Sequence, residues 1–61
     1  SWIARDLDGV LCVYEVEPFK NRGKWYVRIR DFESLRIFNH LFKQIQWSDD
    51  KPILIADLLK E

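Results

Sequence analysis

The apolar positions at the start of the chain alternate with a period of two. Trp2–Arg5 reads as one strand and Val10–Glu17 as a second, with Cys12, Tyr14 and Val16 on one face and Leu11, Val13, Glu15 and Glu17 on the other. Between them stands Asp8-Gly9, a strong short-range hairpin signal because Gly9 supplies positive φ. A two-residue turn at Asp8-Gly9 would pair Leu7 with Val10. A three-residue loop, Leu7-Asp8-Gly9, would pair Asp6 with Val10. The second register is preferred because it sets Trp2 and Ala4 on the face of Cys12 and Tyr14. Asp8 is then expected to accept a backbone N–H in the turn.

Pro18 ends the second strand, and Phe19–Gly23 reads as a connection pivoting on Asn21 and Gly23. Lys24–Arg30 alternates again, with Trp25, Val27 and Ile29 inward and Lys24, Tyr26, Arg28 and Arg30 outward. Pairing Glu17 with Lys24 sets Val16 opposite Trp25, and Glu15 and Glu17 beside Lys24 and Arg28. From Asp31 two readings stay open. Phe32, Leu35, Phe38, Phe42 and Ile45 approach helical spacing, with Asp31 as N-cap; alternatively Ser34–Phe38 is a fourth strand and Asn39 caps a helical turn through Lys43. Ser48–Lys51 reads as a polar turn, Ile53–Ile55 as an edge strand and Ala56–Lys60 as a helical tail. The expected fold is one domain over residues 1–61, α+β and mainly β: a small antiparallel β-meander with a short C-terminal helical segment. The expected core is Trp2, Cys12, Tyr14, Val16, Trp25, Val27, Ile29, Leu35, Phe42 and Trp47.

A chain of 61 residues buries only about 60% of its unfolded surface, so it needs support. Its three Trp, two Tyr and four Phe offer aromatic packing. The single cysteine allows no internal disulfide. Cys12 and His40 fall far short of a zinc set, so no metal or other cofactor is expected. No run approaches 18 apolar residues, and no secretory leader is legible. Together with the lone thiol, this leads to the expectation of a reducing, cytoplasmic setting.

Asp6-Leu7-Asp8-Gly9-Val10-Leu11 resembles the first motif of the haloacid-dehalogenase-like phosphohydrolases. That resemblance implies Asp6 as nucleophile, Asp8 as general acid and a bound magnesium, with Asp49-Asp50 as a distant acidic pair. Context argues against it. Arg5 is a poor residue for a strand buried on both faces. The chain is also too short for several βαβ crossovers of about 30 residues each. The hairpin reading is therefore adopted, and no enzyme activity is expected.

A second likeness covers more of the chain. Trp2-Ile3-Ala4-Arg5-Asp6-x-Asp8-Gly9-x-Leu11, an aromatic and a proline after it (Tyr14, Pro18), then Leu41-Phe42, Trp47, Asp49-Asp50 and Pro52, is similar to a group of short proteins of gut bacteria and their phages or prophages. The resemblance implies a small, β-rich accessory protein and carries no catalytic residue. Lys43 stands where a Pro is usual in that group, which keeps the longer helix open.

Two surfaces are candidates for function. Lys20, Arg22, Lys24, Arg28 and Arg30 place five positive charges in eleven residues, interleaved with Trp25 and Tyr26, while the formal net charge is zero. Cations that track phosphates beside rings that stack on bases are the chemistry of single-stranded nucleic-acid binding, which would use Lys24, Tyr26, Arg28 and Arg30. The plainer alternative is a solvated face balanced by Glu15 and Glu17. The other candidate is the apolar content of the outer sheet face at Ile3, Leu11 and Val13, which a second copy or another protein could cover. The plainer alternative there is that the C-terminal half wraps both faces. The leading expectation is a non-catalytic, self-associating interaction module of mobile-element or phage-like origin, with nucleic-acid binding as the alternative and no membrane partner. His40 and Trp47 read as a turn residue and a core aromatic.

Overall fold

Two antiparallel sheets carry the fold, which is mainly β with one short C-terminal helix. A computed structural model describes residues 1–28 and 34–60. The strands are β1 (Trp2–Arg5), β2 (Leu11–Tyr14), β3 (Phe19–Asn21), β4 (Lys24–Tyr26), β5 (Leu35–Ile37) and β6 (Ile53–Leu54); helix α1 spans Ile55–Leu58. One sheet has the order β5-β2-β1-β6, and β3 and β4 form a separate hairpin.

The first hairpin takes the three-residue register. Trp2 pairs with Tyr14 and Ala4 with Cys12. The Asp6 N–H donates to the Val10 carbonyl at 2.8 Å, and the Gly9 N–H to the Asp6 carbonyl at 3.0 Å. Gly9 sits at φ 96°, in the region that favours glycine. Asp8 Oδ1 accepts the Val10 N–H at 3.1 Å, the role expected of it. The second strand stops at Tyr14 rather than Glu17.

The larger difference concerns β4. It pairs with β3, Phe19 opposite Tyr26 and Lys20 opposite Trp25, not with β2. The strand next to β2 is instead β5, with Cys12 opposite Arg36. The β3–β4 turn pivots on Arg22 (φ 51°) and Gly23 (φ 84°) rather than on Asn21 and Gly23. A two-residue hairpin loop of this twist requires positive φ at both central positions.

Each face of the four-stranded sheet has its own cover. On one, Ala4, Cys12 and Tyr14 pack with Trp25, flanked by Trp2, Val27 and Trp47. On the other, Ile3 and Leu11 pack with Ile45, flanked by Val13, Ile37, Ile53, Ile55 and Leu58. Of the expected core, Cys12, Tyr14 and Trp25 are buried, and Trp2, Val16, Val27 and Trp47 are half-buried. Leu35 and Phe42 are exposed, and Ile29 lies outside the described residues. Ile3, Leu11 and Ile45 are buried apolar residues outside that expected core.

Residues 34–49 do not form the long helix. After β5 the chain runs through successive turns, closed by Leu41 N–H to the Phe38 carbonyl, Ile45 N–H to the Phe42 carbonyl and Asp49 N–H to the Gln46 carbonyl. Phe42 has φ 49°, which a right-handed helix excludes. The strand reading of Ser34–Phe38 is met by β5; Asp31 and Phe32 lie outside the described residues. The edge strand expected at Ile53–Ile55 is β6, paired with β1, and the helical tail begins one residue early, at Ile55.

Candidate functional site

The Arg5-Asp6-Leu7-Asp8-Gly9 motif is an architectural junction. Arg5 lies on the Ile3–Leu11 face and its guanidinium meets the 39–45 segment. Nε donates to the Ile45 carbonyl at 2.7 Å, Nη1 to those of Gly9 and Asn39 at 2.8 Å, and Nη2 to those of Leu41 at 2.8 Å and Phe42 at 3.2 Å. Asp6 is buried, and its Oδ1 accepts the Trp25 N–H at 2.9 Å. Trp25 Nε1 donates to the Arg5 carbonyl at 3.0 Å, and the Leu7 N–H to the Gly23 carbonyl at 2.9 Å. Arg5 therefore fastens the 39–45 loop on one side of the sheet, and Asp6 fastens the β3–β4 hairpin on the other. Sequence reasoning weighed Arg5 only as an objection to a buried strand. A cation on the inward face of a strand, with no acid opposite it, was the signal for a partner made of carbonyls.

The basic strand is split by the hairpin into two faces. Lys20 and Trp25 share the inner one. The Lys20 ammonium lies 5.4 Å from the Trp25 ring centre and 4.5 Å from that of Trp47. The two indoles meet edge to face at 6.2 Å, so Trp47 takes the packing role expected of it. Phe19, Lys24 and Tyr26 share the outer face, with the Phe19 and Tyr26 rings 6.4 Å apart and the Arg28 guanidinium 4.9 Å above Phe19. The structure thus brings Lys24, Tyr26 and Arg28 together and adds Phe19; Arg30 lies outside the described residues. The ion pairs expected from Glu15 and Glu17 do not form. Among the described residues the one salt bridge is Lys60 to Asp57, and Glu15 and Glu17 pair with neither Lys24 nor Arg28.

The outer-face interface set is corrected. Ile3 is 2% exposed and Leu11 0%, and Val13 packs against the same cluster. The C-terminal residues Ile45, Ile53, Ile55 and Leu58 cover this face from within the chain. The apolar surface lies elsewhere, in a groove lined by Arg36, Ile37, Phe38, Leu41 and Phe42. Phe38 is 72% exposed and Leu35, just before the groove, 64%. His40 stacks on Phe38 at 5.6 Å, with the rings 24° from parallel.

Asp49 closes its turn by accepting the Gln46 N–H at 3.0 Å. Among the described residues no three His, Cys, Asp or Glu side chains gather into a set that could hold a metal ion. Among the same residues no helix is long and apolar enough to cross a membrane.

Cys12 is a buried free thiol. Burial, then the Asp6 carboxylate, raises its pKa, against hydrogen bonds from Tyr14 and Ser34 and the Arg36 charge. Burial also raises Tyr14, with Cys12 and Asp6 adding to it. In both cases the folded state holds its proton more tightly than the unfolded chain. This stabilisation is complete below the unfolded thiol's pKa of about 8.5 and is lost as pH rises through the folded value. The urea midpoint is therefore expected to fall steadily above that pH, and less steeply in Cys12→Ala until tyrosine ionises. A midpoint flat through the alkaline range would contradict this.

Compared with protein-family models, curated proteins and solved structures, the chain finds no match.

Proposed function

We propose that this chain is a non-catalytic interaction module that self-associates through the apolar surface around β5 and the loop that follows it. The observation that carries the proposal is Phe38, a large ring held in solvent beside Leu35, Leu41 and Phe42. Arg5 holds the backbone of this loop at Asn39, Leu41 and Phe42. The loop is thus ordered before any partner arrives, which lowers the entropy cost of docking.

A second copy fits as the partner. Zero net charge lets two copies approach without net repulsion. A two-fold contact would cover the same patch twice. A contact made by one strand and one loop is expected to be weak and concentration-dependent beside a standard interface of about 800 Å² per partner. The non-catalytic reading is supported by the motif itself, because Arg5, Asp6 and Asp8 are all engaged by backbone groups. A cytoplasmic setting and a mobile-element or phage-like origin belong to the same proposal. They rest on the lone buried thiol and on the resemblance carried by Trp2–Leu11 and Leu41–Asp50.

Mass measured by light scattering across a concentration series tests it. The mass is expected to rise toward that of a dimer, and Phe38→Glu to weaken association at least tenfold while near-ultraviolet circular dichroism stays unchanged. A monomer at every concentration would remove self-association.

A further inference from the structure

We infer that the outer face of the β3–β4 hairpin is a binding site for single-stranded nucleic acid, a function separate from the apolar surface around β5. Three observations converge on it. The first is charge. From Pro18 to Arg28 the chain has Lys20, Arg22, Lys24 and Arg28 and no acidic residue. Since the whole chain is neutral, the remaining residues together carry a net negative charge, and the positive charge of this segment is local to it in the sequence. Among the described residues, Glu15 and Glu17 make no ion pair with the outer face.

The second observation is the sorting of side chains by the register. Lys20 and Trp25 turn inward together, so the inner face is taken up by packing. Lys24, Tyr26, Phe19 and Arg28 are left on the outer side. The third is the aromatic geometry. Tyr26 is 44% exposed, which leaves ring surface for a base. Arg28 already lies over Phe19, so its guanidinium presents a flat cationic plane toward solvent. Bases stack on aromatic rings and on arginine planes alike, and only unstacked bases offer their faces. The geometry therefore favours a single strand over a duplex, with Tyr26 and Arg28 as stacking platforms and Lys24 and Arg22 beside the phosphates. Sequence preference is expected to be slight, since stacking accepts every base. An anionic membrane would draw the same cations by charge alone; the stacking platforms Tyr26 and Arg28 favour nucleic acid, and vesicles serve as the competing probe.

The test is fluorescence anisotropy of a labelled oligothymidylate with the full chain, in parallel with a duplex of equal length and with vesicles containing phosphatidylserine. Binding is expected at low ionic strength. Each phosphate neutralised contributes a slope of about −0.7 in log K against log salt, so three contacts make a tenfold rise in salt cost roughly a hundredfold in affinity. Arg28→Glu is expected to weaken binding at least tenfold, and Tyr26→Ala severalfold. Lys51→Glu, the same charge change at an exposed turn, should have little effect. Both Tyr26 and Arg28 are exposed, so circular dichroism should match the unaltered chain, and Tyr26→Ala stands as evidence if Arg28→Glu does not fold. No binding at low salt, equal losses in Arg28→Glu and Lys51→Glu, no loss in Tyr26→Ala, or preference for vesicles over the oligonucleotide would each overturn the inference. None of these outcomes depends on whether the chain dimerises through Phe38.

Discussion

Arg5→Ala is expected to lower the unfolding free energy by about 3 kcal/mol, read as a drop in urea midpoint at constant slope. Five carbonyl groups lose their donor at once. A hydrogen bond to a charged group contributes about 1.5–3 kcal/mol, but the five are not additive. The Asn39, Leu41 and Phe42 carbonyls lie where water can replace the guanidinium. The Ile45 and Gly9 carbonyls are part-buried and are left short of a donor. Arg5→Lys should recover less than half of the loss, because an ammonium is a point donor and cannot reproduce the planar fork. Arg22→Ala, an exposed arginine in the β3–β4 turn, should change stability by no more than about 0.5 kcal/mol. If Arg5→Ala proved as mild as Arg22→Ala, the junction described above would not be what holds the 39–45 loop.

Leu11→Ala should be at least as severe. Leu11 is fully buried between Ile3 and Ile45, and truncating such a leucine costs about 2.7–5 kcal/mol. The whole domain, at roughly 0.05–0.15 kcal/mol per residue, has only about 3–9 kcal/mol to lose. The variant should therefore be largely unfolded in warm buffer and recover its near-ultraviolet signal only on mild cooling or with a stabilising osmolyte. Leu7→Ala is the control, because Leu7 is 66% exposed and should lose under about 1 kcal/mol. The contrast also matters for mapping the interface. Leu11→Glu would abolish association by unfolding the chain, so Phe38→Glu is the informative substitution. A Leu11→Ala variant as stable as Leu7→Ala would mean that Ile45 does not cover this face.

The first hairpin was legible because its information is local. Asp8-Gly9 sets the turn, the alternation on either side sets the faces, and one register alone makes them agree. The partner of Lys24–Tyr26 was not legible, because an alternating strand fits any neighbour of the same period. Matching Glu15 and Glu17 to Lys24 and Arg28 favoured β2, yet exposed ion pairs contribute only about 0–1 kcal/mol. The actual pairing seats Trp25 in the core and gives its N–H groups to Asp6 and to the Arg5 carbonyl. Burying a large ring with both donors satisfied outweighs two solvated ion pairs.

The same local logic failed over residues 35–45, where helical spacing lost to an arginine thirty-odd positions away. In a helix the carbonyls of Asn39, Leu41, Phe42 and Ile45 would accept from the N–H groups four residues on. Here all four accept from Arg5. Of the nucleic-acid set, Lys24, Tyr26 and Arg28 were readable from alternation alone. Phe19 is missed because Phe19–Gly23 reads in sequence as a turn-like connection, while Phe19–Asn21 is the strand opposite Tyr26.

The sequence by itself determined a mainly β, antiparallel chain with a closed first hairpin, a buried cysteine face and a short helical end. Period-two patterning and turn chemistry depend on residues within a few positions of one another. Only the tertiary structure decided which apolar residues are core and which are surface. Ile3, Leu11 and Phe38 are each a large apolar residue with at least one apolar neighbour in the chain, and local pattern does not rank them. What separates them is Ile45, held over the first two by Arg5 from the far end of the chain, with no described cover over the third.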